Sequence, residues 1–202
     1  MNVHALINLL HQGQKRKTGE PYTSHLYAVR DILIEEGIRD KTILESALLH
    51  DTLEDSDITN EYLALWFGSK VAGIVDVVSK SPAWHTSYCR MKSNLNEMQL
   101  AWIQYPEAIL IKMADRLHNL RTIQGFSQEK QQAYLRETKE HLLPLFQETL
   151  RHRSIASFSF FQPMNSILAK LQHELSFYFL TFSHDSENRS EKPGQTSPHE
   201  SS

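Results

Sequence analysis

One cysteine, Cys89, stands in 202 residues. That excludes an internal disulfide framework and a thiolate zinc site, and it fits a reducing compartment. Glycine and proline are scarce too, seven of each, which leaves little turn chemistry for a many-stranded sheet. No apolar run approaches the roughly 20 residues that cross a bilayer. Met1-Asn2-Val3-His4 has no basic stretch leading into an apolar core, so no signal peptide is expected and the cytoplasm is the expected compartment. Neither sign of charge dominates: 21 basic against 24 acidic residues leave a net charge of −3, which argues for neither a nucleic-acid nor a membrane partner. The length suits one domain with a substantial core.

What is present is helical periodicity. Long segments with apolar residues three and four apart predict an all-α, compact multi-helix bundle. A first helix is expected over about 3–12, with Leu6, Leu9 and Leu10 inward. Gln14–Tyr22 reads as a basic loop with a Gly-Pro break. Ser24 is placed to cap a helix from His25 to about Glu36, stopped by Gly37, with His25, Val29, Ile32 and Glu36 on one stripe. Asp40 caps a helix over about 41–54, and Asp57 or Thr59 starts a short one ending at Phe67-Gly68. Ser69 opens another, Ser81-Pro82 breaks the chain, and a helix over about 88–104 precedes Pro106, which suits a first helical turn. The helix of about 106–124 has Leu110, Met113, Leu117 and Leu120 as core and ends at Gly125. Pattern resumes near Gln128, with a kink before Pro144. Ser154–Phe161 reads as loop or short extended segment, and Pro163 opens a last helix over about 164–180. The expected organisation is a domain over 1–150, a helical extension over 151–182 packed on it, and a disordered tail over 183–202, where aromatic and β-branched residues nearly vanish.

The stretch Ala47-Leu48-Leu49-His50-Asp51-Thr52-Leu53-Glu54-Asp55 organises the chemistry. On one helix His50 shares a face with Glu54, and Asp51 with Asp55. A helix C-terminal end disfavours negative charge, so so many acids there call for a cation. Asp115, Asn119 and Thr122 form a polar stripe beside the core stripe of their own helix. Asp115 follows an apolar run and needs a partner or a metal, an arginine such as Arg121 being the competing explanation. His25, His50, Asp51 and Asp115 together make two imidazoles and two carboxylates from three helices, a set suited to Mn²⁺, Fe²⁺ or Zn²⁺. Taken alone, His25 fits a satisfied core residue and the basic loop fits solvated surface.

One His, then His-Asp, then a distant Asp resembles the HD superfamily of metal-dependent phosphohydrolases. The flanking text is more specific. Arg16-Lys17-Thr18-Gly19-Glu20-Pro21-Tyr22, His25, Leu48–Asp55 and Ile111–Thr122 are similar to the hydrolase domain of the RelA/SpoT family over roughly residues 5–150. Phe67-Gly68 and Val77–Lys80 match further landmarks, whereas Leu26 stands where the family usually has Pro. The resemblance implies removal of the 3′-pyrophosphate from guanosine 3′,5′-bis(diphosphate) and pppGpp by a stand-alone small alarmone hydrolase, similar in layout to the metazoan SpoT homologue. It implies one Mn²⁺ per chain, other divalent ions being allowed, on His25, His50, Asp51 and Asp115. Glu54 and Asp55 match the catalytic acidic pair. Arg16 and Lys17 match residues that contact guanine and phosphates, and Asn119 and Thr122 match residues that line the nucleoside pocket. The alternatives are an HD phosphohydrolase acting on a dNTP, a nucleoside monophosphate or NADPH, and a non-catalytic alarmone-binding module.

Overall fold

The computed structural model describes residues 1–79 and 100–190. Cys89, the Ser81-Pro82 break, most of the helix expected at about 88–104 and the 191–202 part of the expected tail lie outside the described residues. The chain runs α1 (Val3–Leu10), α2 (Thr23–Glu35), α3 (Lys41–Leu49), α4 (Thr52–Asp55), α5 (Asn60–Phe67), α6 (Ser69–Ser79), α7 (Pro106–Arg121), α8 (Gln128–Glu137), α9 (Leu143–Leu150), α10 (Arg153–Ala156) and α11 (Phe161–Ser190). No strand occurs among the described residues, only an isolated antiparallel bridge between Lys15 and Pro21. The fold is all-α.

α7 is the central rod. Pro106 stands in its first turn, where a missing N–H costs nothing. Leu110, Met113, Leu117 and Leu120 are fully buried as expected, but so are Ile109, Ile111 and Ala114. A helix apolar around most of its circumference is a core helix rather than a surface one, and α2, α6 and α11 pack against it. Its one long polar intrusion besides Asp115 is Arg116, 5% exposed. That guanidinium lies 4.0 Å over the Tyr134 ring and donates to Thr138 Oγ1 at 3.1 Å, tying α7 to α8. A second apolar cluster gathers α1, α5 and α6 around Leu26, Leu48 and Leu49. α2 and α3 contribute to both clusters, which fixes the positions of His25 and His50 between them.

Most helix signals hold. Asp40 Oδ1 accepts from Ile43 N at 3.1 Å as an N-cap, Thr59 precedes α5, and Gly37 ends α2 at φ 88°, a conformation that favours glycine. The kink before Pro144 is a π turn over Thr138–Leu142. Four expectations fail. Leu9 is 68% exposed and Ile7 takes its inward place, since either residue satisfies a 3.6-residue period in so short a helix. Ser24 lies inside α2, which starts one residue earlier with no side-chain cap. The last helix runs from Phe161 to Ser190, so residues 183–190, expected as the start of a disordered tail, are helical, while Ser154–Phe161 holds one helical turn and then the expected loop. The helix of about 41–54 is broken: α3 ends at Leu49, and Asp51, at φ −97° and ψ −2°, starts α4. Glu54 and Asp55 therefore belong to a separate single turn that Asp51 opens, not to the end of a long helix.

Candidate metal centre and the adjoining cavity

The break after Leu49 aims His50 and Asp51 at the same point. His50 Nε2 is 3.2 Å from Asp51 Oδ2 and 3.8 Å from Asp115 Oδ1. His25 Nε2, arriving from α2, is 3.2 Å from Asp115 Oδ1 and 3.6 Å from Asp51 Oδ2. His25, His50 and Asp51 form a group able to hold a metal ion, and Asp115 from α7 faces both imidazoles. Ligands about 2.1 Å from one ion and at right angles stand about 3 Å apart, so these separations suit a shared centre.

Two further features favour an ion there. His50 Nδ1 donates to the Ala47 carbonyl at 2.8 Å, so Nε2 is the nitrogen left to face the carboxylates, and its lone pair becomes free for an ion when the ring is neutral. That Nε2 is fully buried with no hydrogen-bond partner. A ring nitrogen aimed between two carboxylates is a place for positive charge, a proton or a metal ion. Arg121 is not the partner: it pairs with Glu174 at 3.3 Å on α11. The cation beside Asp115 is Lys112, with Nζ 3.3 Å from Oδ2, which leaves Oδ1 toward the imidazoles.

Beside this centre lies a cavity of about 250 Å³ bounded by Arg16, Lys17, Thr18, Tyr22, Asn119 and Phe126. Two side chains bridge the two spaces. Asn119 Nδ2 donates to Asp115 Oδ1 at 2.6 Å while its Oδ1 accepts from Arg16 Nη2 at 3.0 Å. A carboxylate on one side and a guanidinium on the other leave one orientation for the amide. Thr122 Oγ1 accepts from the same Arg16 nitrogen at 3.0 Å. The Tyr22 hydroxyl donates to Asp51 Oδ2 at 2.6 Å, and burial beside Asp51 pushes its pKa up, so it stays a donor. Gly125 sits against the loop: a Cβ there would lie 2.8 Å from Thr18 Cγ2.

A family model described as HD domain matches residues 4–145. The chain belongs to the HD-domain family. It is 43% identical over 137 residues to a Vibrio cholerae protein named guanosine-3′,5′-bis(diphosphate) 3′-pyrophosphohydrolase, covering 67% of this chain and 19% of that one. It is 42% identical over 135 residues to a Streptomyces coelicolor protein named GTP pyrophosphokinase, covering 67% and 16%. The chain thus spans about a fifth or less of the length of these curated relatives. Among solved structures it is similar to a metazoan SpoT orthologue described as hydrolysing ppGpp and playing a role in starvation responses. The TM-score is 0.65 at 27% identity, over 87% of this chain and 93% of that one. No helix among the described residues is long and apolar enough to cross a membrane.

All ten residues singled out in the sequence of this HD domain fall in the described region. His25, His50, Asp51 and Asp115 converge; Arg16, Lys17, Asn119 and Thr122 border the cavity. Glu54 and Asp55 lie on the solvent side of α4, and the partly buried Glu54 carboxyl is pushed up by desolvation, with Lys112 opposing and Asp51 and Asp55 adding to the rise. Tyr22, Lys112 and His118 went unassigned in the sequence, although each lies in a motif that was read.

The charge balance gives this HD domain a pH signature. Burial disfavours charge on His50, but Asp51 and Asp115 outweigh it and raise its pKa from 6.5 to about 10. Burial holds His25 below its usual value despite the same carboxylates. Without metal, one proton on His50 balances the centre. An ion must displace that proton, so its affinity is expected to rise with pH up to about 10, by as much as about tenfold per unit. Stability of the metal-free chain runs the other way: the His50 contribution is complete below 6.5 and is lost as pH rises through about 10. Metal titration calorimetry across a pH series checks the first trend, and a flat affinity would contradict it.

Proposed function

We propose that this HD domain hydrolyses the 3′-pyrophosphate of guanosine 3′,5′-bis(diphosphate) and pppGpp, releasing pyrophosphate and GDP or GTP, with one Mn²⁺ held by His25, His50, Asp51 and Asp115. The observation that carries this reading is the hydrogen-bonded junction at Asn119, which joins an imidazole–carboxylate centre to a basic cavity. A nucleotide whose base and sugar occupy the cavity presents a phosphate to the centre. The relatives' names divide between hydrolysis and pyrophosphoryl transfer. The part they share with this chain is two thirds of it and a fifth or less of them, and the metazoan orthologue of nearly the same extent is described as a hydrolase.

When bound, the ion supplies a Lewis acid for the phosphoryl oxygens and acidifies water. The chain supplies the rest. Water adds to the phosphorus attached to the 3′-oxygen, the bond from that phosphorus to the 3′-oxygen breaks, and the 3′-oxygen takes a proton as pyrophosphate leaves. Glu54 is assigned the proton transfer. Partial burial pushes its carboxyl up, Asp51 and Asp55 add to this, and Lys112 opposes it. Asp55, beside the Tyr22 hydroxyl, is assigned the orientation of water. Arg16, held by Asn119 and Thr122, faces the base and phosphates with its remaining donors, and Lys17 adds charge.

Arg16→Ala is expected to raise KM by the loss of one charge-assisted contact, on the order of 1.5–3 kcal/mol, with bound metal unchanged. An unchanged KM would return the loop to solvated surface. Steady-state assays with ppGpp, dGTP, GMP and NADPH test the substrate class. Preference for ppGpp supports the reading, and preference for another nucleotide or no turnover at all overturns it.

A further inference from the structure

His118 lies one turn along α7 from Asp115, and its Nδ1 stands 2.8 Å from Nδ1 of His25. The two rings are 4.9 Å apart between centroids and tilted by 43°. Two imidazole nitrogens at that distance share one proton, so one donates and the other accepts. His25 Nε2 faces Asp51 and Asp115 at 3.6 and 3.2 Å. A neutral imidazole has one N–H, so a lone pair on Nε2 requires the proton on Nδ1. That proton has His118 Nδ1 as its acceptor.

We propose that His118 is a positioning residue: it accepts the His25 Nδ1–H, and so fixes the ring orientation and the tautomer that leave His25 Nε2 free for a metal ion. The inference rests on the metal centre proposed above. His50 has the same arrangement built differently, its Nδ1 being 2.8 Å from the Ala47 carbonyl. Each imidazole of the centre is therefore held from behind, one by backbone and one by a side chain. α7 thus contributes twice, with Asp115 facing the ion and His118 aiming the ligand that α2 brings. Outer partners of this kind tune ligand basicity and geometry, and their loss typically costs about 10–100-fold in metal affinity.

The test measures Mn²⁺ binding directly by calorimetry on the full chain. His118→Leu keeps bulk but removes the acceptor; His118→Asn carries a carbonyl oxygen at the reach of Nδ1. The expected result is a loss of about 10–100-fold in Mn²⁺ affinity for the leucine variant and substantial recovery for the asparagine variant, with both folded by circular dichroism. Wild-type affinity in His118→Leu, or equal weakening in two folded variants, overturns the positioning role. A wild-type chain that binds no Mn²⁺ overturns the metal centre instead, so the two failures are distinct. If His118→Leu does not fold, the wild type decides. In its Zn²⁺-loaded form, ¹⁵N spectra should show His25 protonated on Nδ1, with a nitrogen–nitrogen coupling across the bond to His118. Protonation of His25 on Nε2 overturns the proposal.

Discussion

Asp51→Ala is expected to abolish turnover and strip bound metal from the chain together, because both depend on one oxygen. Asp51 Oδ2 is the atom on which three groups converge: His50 Nε2 at 3.2 Å, His25 Nε2 at 3.6 Å and the Tyr22 hydroxyl at 2.6 Å. Truncation leaves a half-buried phenol without its acceptor and His50 with one carboxylate instead of two. The folded chain is expected to survive, since the apolar clusters on either side are untouched. Losing one of the four proposed ligands and half of the carboxylate charge is expected to leave too weak a site to compete with water. Metal content by elemental analysis and turnover are read on one preparation. A fully active Asp51→Ala enzyme would remove this residue from the centre, and an inactive one that keeps its metal would make Asp51 a catalytic group rather than a ligand.

Glu54→Gln has the second-largest expected effect: kcat falls by about 10²–10⁴, the usual size of a general acid–base contribution, while metal and substrate binding stay. The four groups at the centre leave Glu54 outside the ligand set, one turn beyond Asp51 on α4. Glutamine preserves length and hydrogen-bonding capacity but neither gives nor takes a proton at useful pH. Bound Mn²⁺, ppGpp affinity and kcat separate the cases. Metal lost along with activity would recast Glu54 as a ligand, and an undiminished kcat would take it out of the mechanism.

The residues of the centre were legible in the sequence because their types are wrong for where they stand: a His-Asp doublet closing an apolar run, and a carboxylate at the middle of α7's apolar repeat. The helix across them was not. Residues 47–55 contain neither Gly nor Pro to mark a stop, and the break at Asp51 shows only as a backbone turn at the site itself. Face arguments from a continuous helix joined His50 to Glu54; in the folded chain the α3–α4 turn relates them. Contacts distant in sequence were beyond periodicity altogether. Tyr22 meets Asp51 across 29 residues, and His25 meets His118 across 93, although both partners lay in plain motifs. Asp115 shows the converse. The sequence offered metal or Arg121, and the structure pairs one of its oxygens with Lys112 and turns the other toward the imidazoles.

The most direct test of the central claim follows ppGpp by phosphorus NMR with the purified chain in Mn²⁺, after chelation, and after Mn²⁺ is restored. The predicted result is GDP and pyrophosphate in equal amounts with metal, none after chelation, and recovery on restoration. Turnover that survives chelation, or release of orthophosphate in place of pyrophosphate, would contradict it.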